Sequence, residues 1–218
     1  MFHSSGTSDL KCQMNRYVVN SRDPILRGGE EALEKDFTQD LGALYPDTAE
    51  ELDANLLIPL VEEISINVFV DSDHGQYKVT RRSITVLNAF LGRTLEFYLS
   101  KRQGAIETST YGDKFCAMKT GVKETIAIRY MIQCFGVNVE TASLLCGDNM
   151  GVIHNSTIKS SLLKKKHVSI PYHKTREAAA SGTVNPIKTD RTINYADVLT
   201  KFQDLKTFQL ITGYYFYG

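Results

Sequence analysis

Apolar residues alternate with others at Ile64, Ile66, Val68 and Val70, the period of two expected of a strand. Phe69 adds apolar area to the other face, which predicts a central strand. It ends in an acid cluster, Asp71-Ser-Asp73-His74, followed by Gly75. Ile84–Leu91 and Thr94–Leu99 come next, joined at Gly92-Arg93, which suits a hairpin turn. Three sequential antiparallel strands are therefore expected. Thr108-Ser-Thr110 offers helix-capping hydroxyls. Behind it, Phe115, Met118, Val122, Ile126 and Tyr130 recur at spacings of three and four. That spacing predicts a long amphipathic helix with these residues inward, closed by Gly136.

Ala142-Ser-Leu-Leu-Cys146-Gly147 has the length of a buried strand and also ends in an acid, Asp148. Asn149 follows, then a short helix to about Asn155. A further helix runs from about Val168 to Ala180 and ends at Gly182. Thr183–Ile187 reads as a short strand, and Tyr195–Phe202 as a last helix with Ala196, Leu199 and Phe202 inward. A meander followed by a strand–helix–strand crossover implies an α/β fold with a mixed sheet covered on both faces.

Residues 1–60 are less regular, with an apolar patch at Tyr17-Val18-Val19, many acids over 28–56 and a possible short helix at Glu30–Asp40. They read as a linker or the remnant of a preceding domain. Residues 61–202 form the patterned domain, and 203–218 an aromatic tail with Phe208, Tyr214, Tyr215, Phe216 and Tyr217. The 218 residues, 42% hydrophobic and 23% charged, suffice for one good core. Formal charge is zero, so charge distribution matters more: acids crowd 30–63 and bases crowd 159–176. No apolar run approaches the roughly 20 residues that span a bilayer, so no membrane partner is expected. The N-terminus lacks the apolar core of a signal peptide. Cys12, Cys116, Cys134 and Cys146 form no Cys-x-x-Cys pair, which predicts reduced thiols in an intracellular protein, cytoplasmic or nuclear.

Asp71 and Asp148 each end a strand expected to be central, and Asp197 starts the last helix. If the strands are parallel neighbours, the three carboxylates converge at one end of the sheet. Convergent carboxylates in a poorly solvated cleft repel one another unless cations lie between them. Oxygen-only ligands select Mg²⁺ or Mn²⁺, and two such ions roughly 3.5–4 Å apart clamp both oxygens of a phosphodiester displacement. Taken singly, an Asp at a strand end is more often a turn former or helix cap.

Several motifs occur in a fixed order: Asn67-Val-Phe-Val-Asp71-Ser-Asp73-His74, Thr80-Arg-Arg-Ser83, Leu99-Ser-Lys101-Arg-Gln103, Glu107-Thr-Ser-Thr110, Cys146-Gly-Asp148-Asn149, Lys166-His167, Tyr172-His-Lys-Thr-Arg176-Glu177 and Ala196-Asp197-Val-Leu-Thr-Lys201. Over about 61–202 the chain resembles the ribonuclease H region of copia-type retrotransposon polyproteins, downstream of the reverse transcriptase. The resemblance implies a ribonuclease H-like fold, five strands in a mixed sheet with helices on both faces. It also implies two Mg²⁺ ions, four carboxylates and cleavage of the RNA strand of RNA–DNA hybrids, with a reverse transcriptase domain as a possible partner. By position, Asp71, Asp148 and Asp197 correspond to the first, third and fourth carboxylates, as metal ligands and catalytic groups.

The second carboxylate departs from the family pattern. Its slot, just before Phe115, holds Lys114. Neighbours on a helix point about 100° apart, so Asp113 does not simply replace the missing ligand. Glu to Lys changes the local charge by two units. At about 4 Å and an effective dielectric near 20, each unit charge interacts by roughly 4 kcal/mol. An ammonium there repels Mg²⁺ and can pair with Asp71 or Asp148, so weak metal binding and little nuclease activity are expected. The alternative is that Lys114 points to solvent and Asp113 or Glu107 rebuilds the site. Two other readings are a catalytically silent nucleic-acid-binding module and an inert retroelement remnant.

The basic run Lys164, Lys165, Lys166 and His167 suits contact with phosphates, or is a solvated loop. Arg176 belongs to the same basic stretch and is grouped with it as nucleic-acid-binding. Asn149 bonds a phosphate or sugar group, or caps the helix after it. His167 and His173 are metal ligands or, at a spacing of six, surface and structural histidines.

Overall fold

The computed structural model describes residues 41–50, 55–56, 58–59, 64–75, 79–139, 141–163, 166–190, 194–200, 204–206 and 208–209. The expectations for Tyr17–Val19, Glu30–Asp40, Cys12, Lys164, Lys165, Lys201, Phe202 and the tyrosines of the tail lie outside the described residues.

The first strand, β1 (Ile66–Ser72), is buried at every position, as its two apolar faces predict. It pairs antiparallel with β2 (Ile84–Leu91), which pairs antiparallel with β3 (Thr94–Arg102) across the two-residue turn at Gly92-Arg93. After the helix α1 (Thr110–Cys134) comes β4 (Ser143–Gly147), parallel to β1. The helices α2 (Met150–Thr157) and α3 (Ser169–Ala180) lead to β5 (Val184–Lys188), parallel to β4. The order across the sheet is β3-β2-β1-β4-β5, and β2 alone runs against the rest. Pro186 lies in β5, an edge strand, where a residue without an N–H is tolerated.

Each face of the sheet buries its own cluster. Ile66, Val68, Val70 and Leu145 pack under α1, α2 and α3 through Phe115, Met118, Val122, Val152, Ile153 and Tyr172. Gly121 permits the close approach of α1, because a Cβ there would meet Leu145 Cδ1 and Val70 Cγ1, both at 2.7 Å. On the opposite face Phe69, Phe90 and Tyr195 form a ring cluster, with Phe69–Tyr195 and Phe69–Phe90 centroids 4.8 and 5.7 Å apart in edge contacts. Such pairs contribute about 0.5–1.5 kcal/mol each beyond their area. The glycines expected to close α1 and α3, Gly136 and Gly182, both have positive φ, +71° and +73°, a conformation that L side chains disfavour.

Three features differ from the expected pattern. The inward stripe of α1 runs Phe115, Met118, Val122, Thr125, Arg129 and Ile132, while Ile126 and Tyr130 face outward. Two polar residues on the buried line hide the true face from an apolar count. The last helix is a short 3-10 turn, Tyr195–Leu199, with Tyr195 and Ala196 buried and Leu199 47% exposed. At three residues per turn the side chains fall in a different order from an α-helix.

The third difference concerns 41–50, grouped above with the connecting stretch 1–60. Leu41 is fully buried against Ala179 and Ala180, and Tyr45 Oη lies 2.8 Å from His173 Nδ1. Glu50 binds the buried Arg129 at both oxygens, 2.6 Å to Nε and 2.7 Å to Nη2. The remaining Arg129 donors reach the carbonyls of Thr141 and Val139 and the hydroxyl of Ser143. All five guanidinium donors are thereby satisfied, and residues 41–50 clasp α1 and α3. Removing one member of such a pair strands a buried charge. Glu50→Ala is expected to lower stability by about 2 kcal/mol or more, measured by urea unfolding. The exposed acid of the same segment, Asp47→Ala, should change it by less than about 0.5 kcal/mol.

Candidate functional site at the carboxylate end of the sheet

The parallel register of β1 and β4 aligns Phe69 with Cys146. Two residues further along each segment stand Asp71 and Asp148, so the two acids emerge side by side. The third carboxylate is brought in from the other face. Asn194 caps the 3-10 turn, its side chain accepting from Ala196 N at 3.2 Å. Its amide donates to Val70 O at 3.3 Å, while Asn88 Nδ2 donates to Tyr195 O at 3.0 Å. Together they seat Asp197 against Asp71. Asp71 is 1% exposed, Asp197 6% and Asp148 8%.

Lys114, in the first turn of α1, fills the space between the strand ends. Its Nζ donates to Asp71 Oδ1 at 2.8 Å and also to Asp148 Oδ1. The side chain is 11% exposed. Thr200 Oγ1 donates to the other oxygen of Asp71 at 2.8 Å. Burial pushes the Asp71 carboxyl up, but a hydrogen bond with the Asp197 carboxyl, the Lys114 ammonium and the Thr200 hydroxyl together bring it below the ordinary carboxylate range.

Asp113 lies one residue away and faces elsewhere. It is fully buried, binds His74 Nδ1 through Oδ2, and its backbone carbonyl accepts from Gln103 Nε2 at 3.0 Å. Asp73 binds the backbone N of Ile84. Burial raises the Asp73 carboxyl above its ordinary value despite that bond, and the charges of Asp113 and Asp71 add to the rise. Glu107 packs beside Cys116 Sγ and, at 3.2 Å, His167 Nε2. Burial, with the Glu107 carboxylate adding, pushes that thiol up to about 12. Neither Asp113 nor Glu107 joins the carboxylates of the cleft, and Lys114 does not point to solvent. The structure therefore goes against the alternative in which Lys114 points to solvent and Asp113 or Glu107 rebuilds the site.

No protein-family model matches the chain. Among solved structures, it is similar to the N-terminal RNase H domain of Rv2228c from Mycobacterium tuberculosis, solved as a fusion with maltose-binding protein. The identity is 11% and the TM-score 0.49, covering 69% of this chain and 97% of that one. It is also similar to RNase H1 from the archaeon Halobacterium salinarum, at 12% identity and TM-score 0.44, covering 62% and 93%. LC11-RNase H1, in a complex with an RNA/DNA hybrid, gives 12% and 0.47 over 62% and 93%. The strand order, with β2 alone reversed, and the flanking helices decide the class. The fold is ribonuclease H-like.

Within this ribonuclease H-like fold the residues of the cleft do not fit a pair of divalent ions. An ammonium stands between Asp71 and Asp148, on the oxygens a metal would need. Among the described residues no group of three or more His, Cys, Asp or Glu side chains is arranged to hold a metal. The ammonium offsets one of the carboxylate charges and occupies the position between the two acids.

The residues expected to contact nucleic acid divide into two groups. Lys166 and His167 are exposed on a 3-10 turn, Lys166–Val168. Asn149 caps α2, its side chain accepting from Val152 N at 3.2 Å. Arg176 is 1% exposed and donates to the carbonyls of Asn155 and Ile158 at 3.0 and 2.8 Å. It closes the C-terminal end of α2 and is no surface contact, which corrects its expected role. His173 bonds Tyr45. Two residues of the site escaped the sequence: Thr200 and His74. Thr200 sits three positions after Asp197, a one-turn spacing that places it beside the acid. His74 and Asp113 lie 39 residues apart, with no local signal to join them.

A carboxyl depressed in the folded state adds stability above its unfolded value of 3.8, lost as pH falls through the folded one. Asp71 therefore contributes to acid unfolding below about pH 4. In Lys114→Met the two facing carboxylates have no cation between them. Stability at pH 7 is expected to fall by about 3 kcal/mol, with part of the deficit recovered at pH 5 as the pair takes up a proton. Thermal unfolding across pH 4–8 reads both effects.

Proposed function

We propose that the chain is a ribonuclease H-like domain of a copia-type retrotransposon polyprotein, following a reverse transcriptase and acting inside the cell. Its ancestral cleavage of the RNA strand in RNA–DNA hybrids is weak or lost. The observation that carries this reading is the Lys114 ammonium bound to both Asp71 and Asp148. The order of motifs supports the ancestry, and the convergence of Asp71, Asp148 and Asp197 supports their descent from a hydrolytic centre. In this chain Asp71 and Asp148 accept from Lys114, and Asp71 also from Thr200, so three of the carboxylate oxygens that would face a metal ion are engaged. Mg²⁺ or Mn²⁺ binding is correspondingly weak.

A second reading, a nucleic-acid-binding module without chemistry, is favoured by the exposure of Lys166 and His167 in the basic stretch. Phosphate contacts of this kind are charge-driven and weaken with salt by about 0.9 in log–log slope for each phosphate neutralised on duplex DNA.

The two readings have separate tests. On an RNA–DNA hybrid with Mg²⁺, the chain is expected to cut at background rate and Lys114→Glu at least roughly tenfold faster, a change of about 1.4 kcal/mol in barrier. Equal rates for the two proteins would overturn the account of Lys114. For binding, neutralising Lys164, Lys165 and Lys166 together should weaken hybrid association and reduce its salt slope, read by fluorescence anisotropy.

A further inference from the structure

Among the described residues, five have φ in the left-handed region. Four are glycines, Gly75, Gly92, Gly136 and Gly182, and the fifth is Arg81 at +56°. A residue with a Cβ is disfavoured there, where glycine or asparagine is the usual occupant. The backbone asks for glycine, and the chain supplies an exposed arginine. A disfavoured conformation that its surroundings enforce points to a task for the side chain.

The surroundings do enforce it. Asp73 N donates to Ile84 O at 3.2 Å, and the Asp73 carboxylate accepts from Ile84 N. Gly75 N donates to Ser83 Oγ at 3.0 Å, and Gln103 N to Ser83 O at 2.7 Å. The Arg81 carbonyl packs on Gly75, 3.4 Å from where a Cβ would stand. Residues 81–84 are thus pinned between the ends of β1 and β3. The same register sets Lys101 opposite Thr85, so Arg81, Arg82 and Lys101 gather at one corner of the sheet.

Their charge is unspent within the chain. Lys114, Arg129 and Arg176 all have buried acceptors. By contrast, the side chains of Arg81, Arg82 and Lys101 form no ion pair or hydrogen bond among the described residues. The acids of this corner, Asp73 and Asp113, are 5% and 0% exposed and are bound to Ile84 N and His74. Gln103, two residues beyond Lys101, donates to Asp113 O in the first turn of α1. Glu107, just before that turn, lies 3.2 Å from His167. The corner and the Lys166-His167 turn therefore border the same end of α1.

Clustered cations of this kind attract a polyanion, and guanidinium forks match phosphate oxygens. Tyr98, the exposed ring of β3, lies on the opposite face from Lys101, because successive strand residues alternate. Among the described residues the corner thus offers charge and no ring on which a base could stack. A duplex presents phosphates outward and keeps its bases stacked within, which fits such a surface.

We propose that Arg81, Arg82 and Lys101 form a second phosphate-contact surface, which holds the backbone of a nucleic-acid duplex without reading its sequence. It rests on the reading of the chain as a nucleic-acid-binding module, and it adds a surface to the basic run 164–167.

Fluorescence anisotropy with the full chain in EDTA tests this, using a labelled DNA duplex of mixed sequence, its separated strand, and polyglutamate. At about 50 mM salt, Arg81→Gly is expected to weaken duplex binding at least roughly threefold. Arg81→Lys keeps the charge and should bind as the unsubstituted chain does. Glycine is at ease at a positive φ, so Arg81→Gly should melt no lower than the unsubstituted chain, which separates lost binding from lost folding. Combining Arg81→Gly, Arg82→Ala and Lys101→Ala should reduce the log–log salt slope by about 0.9 for each cation removed. Lys123→Ala, which removes a lysine already paired with Glu124, should leave binding unchanged. Full affinity in the triple variant would overturn this surface while leaving the binding module in place. A chain that binds no duplex at all would overturn both. Equal affinity for the single strand would also sink the proposal, and so would equal affinity for polyglutamate, which marks a surface for an acidic protein instead.

Discussion

Two carboxylates at the ends of adjacent parallel strands cannot both stay ionised in a buried cleft unless a cation lies between them, and here that cation is Lys114 Nζ. The bond at 2.8 Å to Asp71 and its companion to Asp148 tie three elements at one point: β1, β4 and the first turn of α1. Thr200 and Asp197 add the fourth element, the 3-10 turn, through the remaining oxygen of Asp71 and its carboxyl partner. The end of the sheet is therefore held by ion pairs and hydrogen bonds made within the chain. A mobile ion could in principle do the same task, but it would leave and return with solution conditions. The ammonium is covalently attached and stays.

An ammonium at that position has consequences for what the cleft can do. A centre that clamps a phosphodiester needs cations free to exchange water for substrate oxygens. Lys114 offers no open coordination position, and its three donors are largely spent on the acids that hold it. The remaining acids near the cleft are also engaged, Asp113 by His74 and Asp73 by the backbone of Ile84. The result is a cleft whose acids are engaged by side chains of the same chain, with basic residues such as Lys166 left at the surface. At the other end of the domain, Arg129 performs a comparable task for the chain's approach, capturing Glu50 and three further oxygen acceptors beside β4. Both poles are thus fixed by buried cations, one a lysine and one an arginine whose fork matches its carboxylate.

The periodic features were legible from the chain. Alternation at Ile64–Val70 placed β1 at the centre, Gly92-Arg93 placed the hairpin, and Asp71 with Asp148 marked the strand ends that meet. Lys114 was legible too, because it stands at a position where the ordered motifs lead one to expect a carboxylate. Legibility failed where polar residues went inside. Thr125 and Arg129 occupy the buried line of α1, so an apolar count chose Ile126 and Tyr130, which the fold turns outward. Arg176 failed for the same reason, since a basic residue in a basic stretch gives no sign that carbonyls of α2 await it.

What the sequence by itself determined is local in origin: strand and helix identity, the hairpin, the helix ends at glycine, and the two acids at strand ends. These follow from backbone sterics and from side-chain period, which act between neighbours. Only the tertiary structure decided the pairings that join distant positions, such as Glu50 with Arg129, His74 with Asp113, and Lys114 with two acids at once. Each places a charge where water is excluded, and its energy depends on the partner and the dielectric around it. Neither quantity is written at any single position in the chain; both exist only once the sheet and its helices have closed.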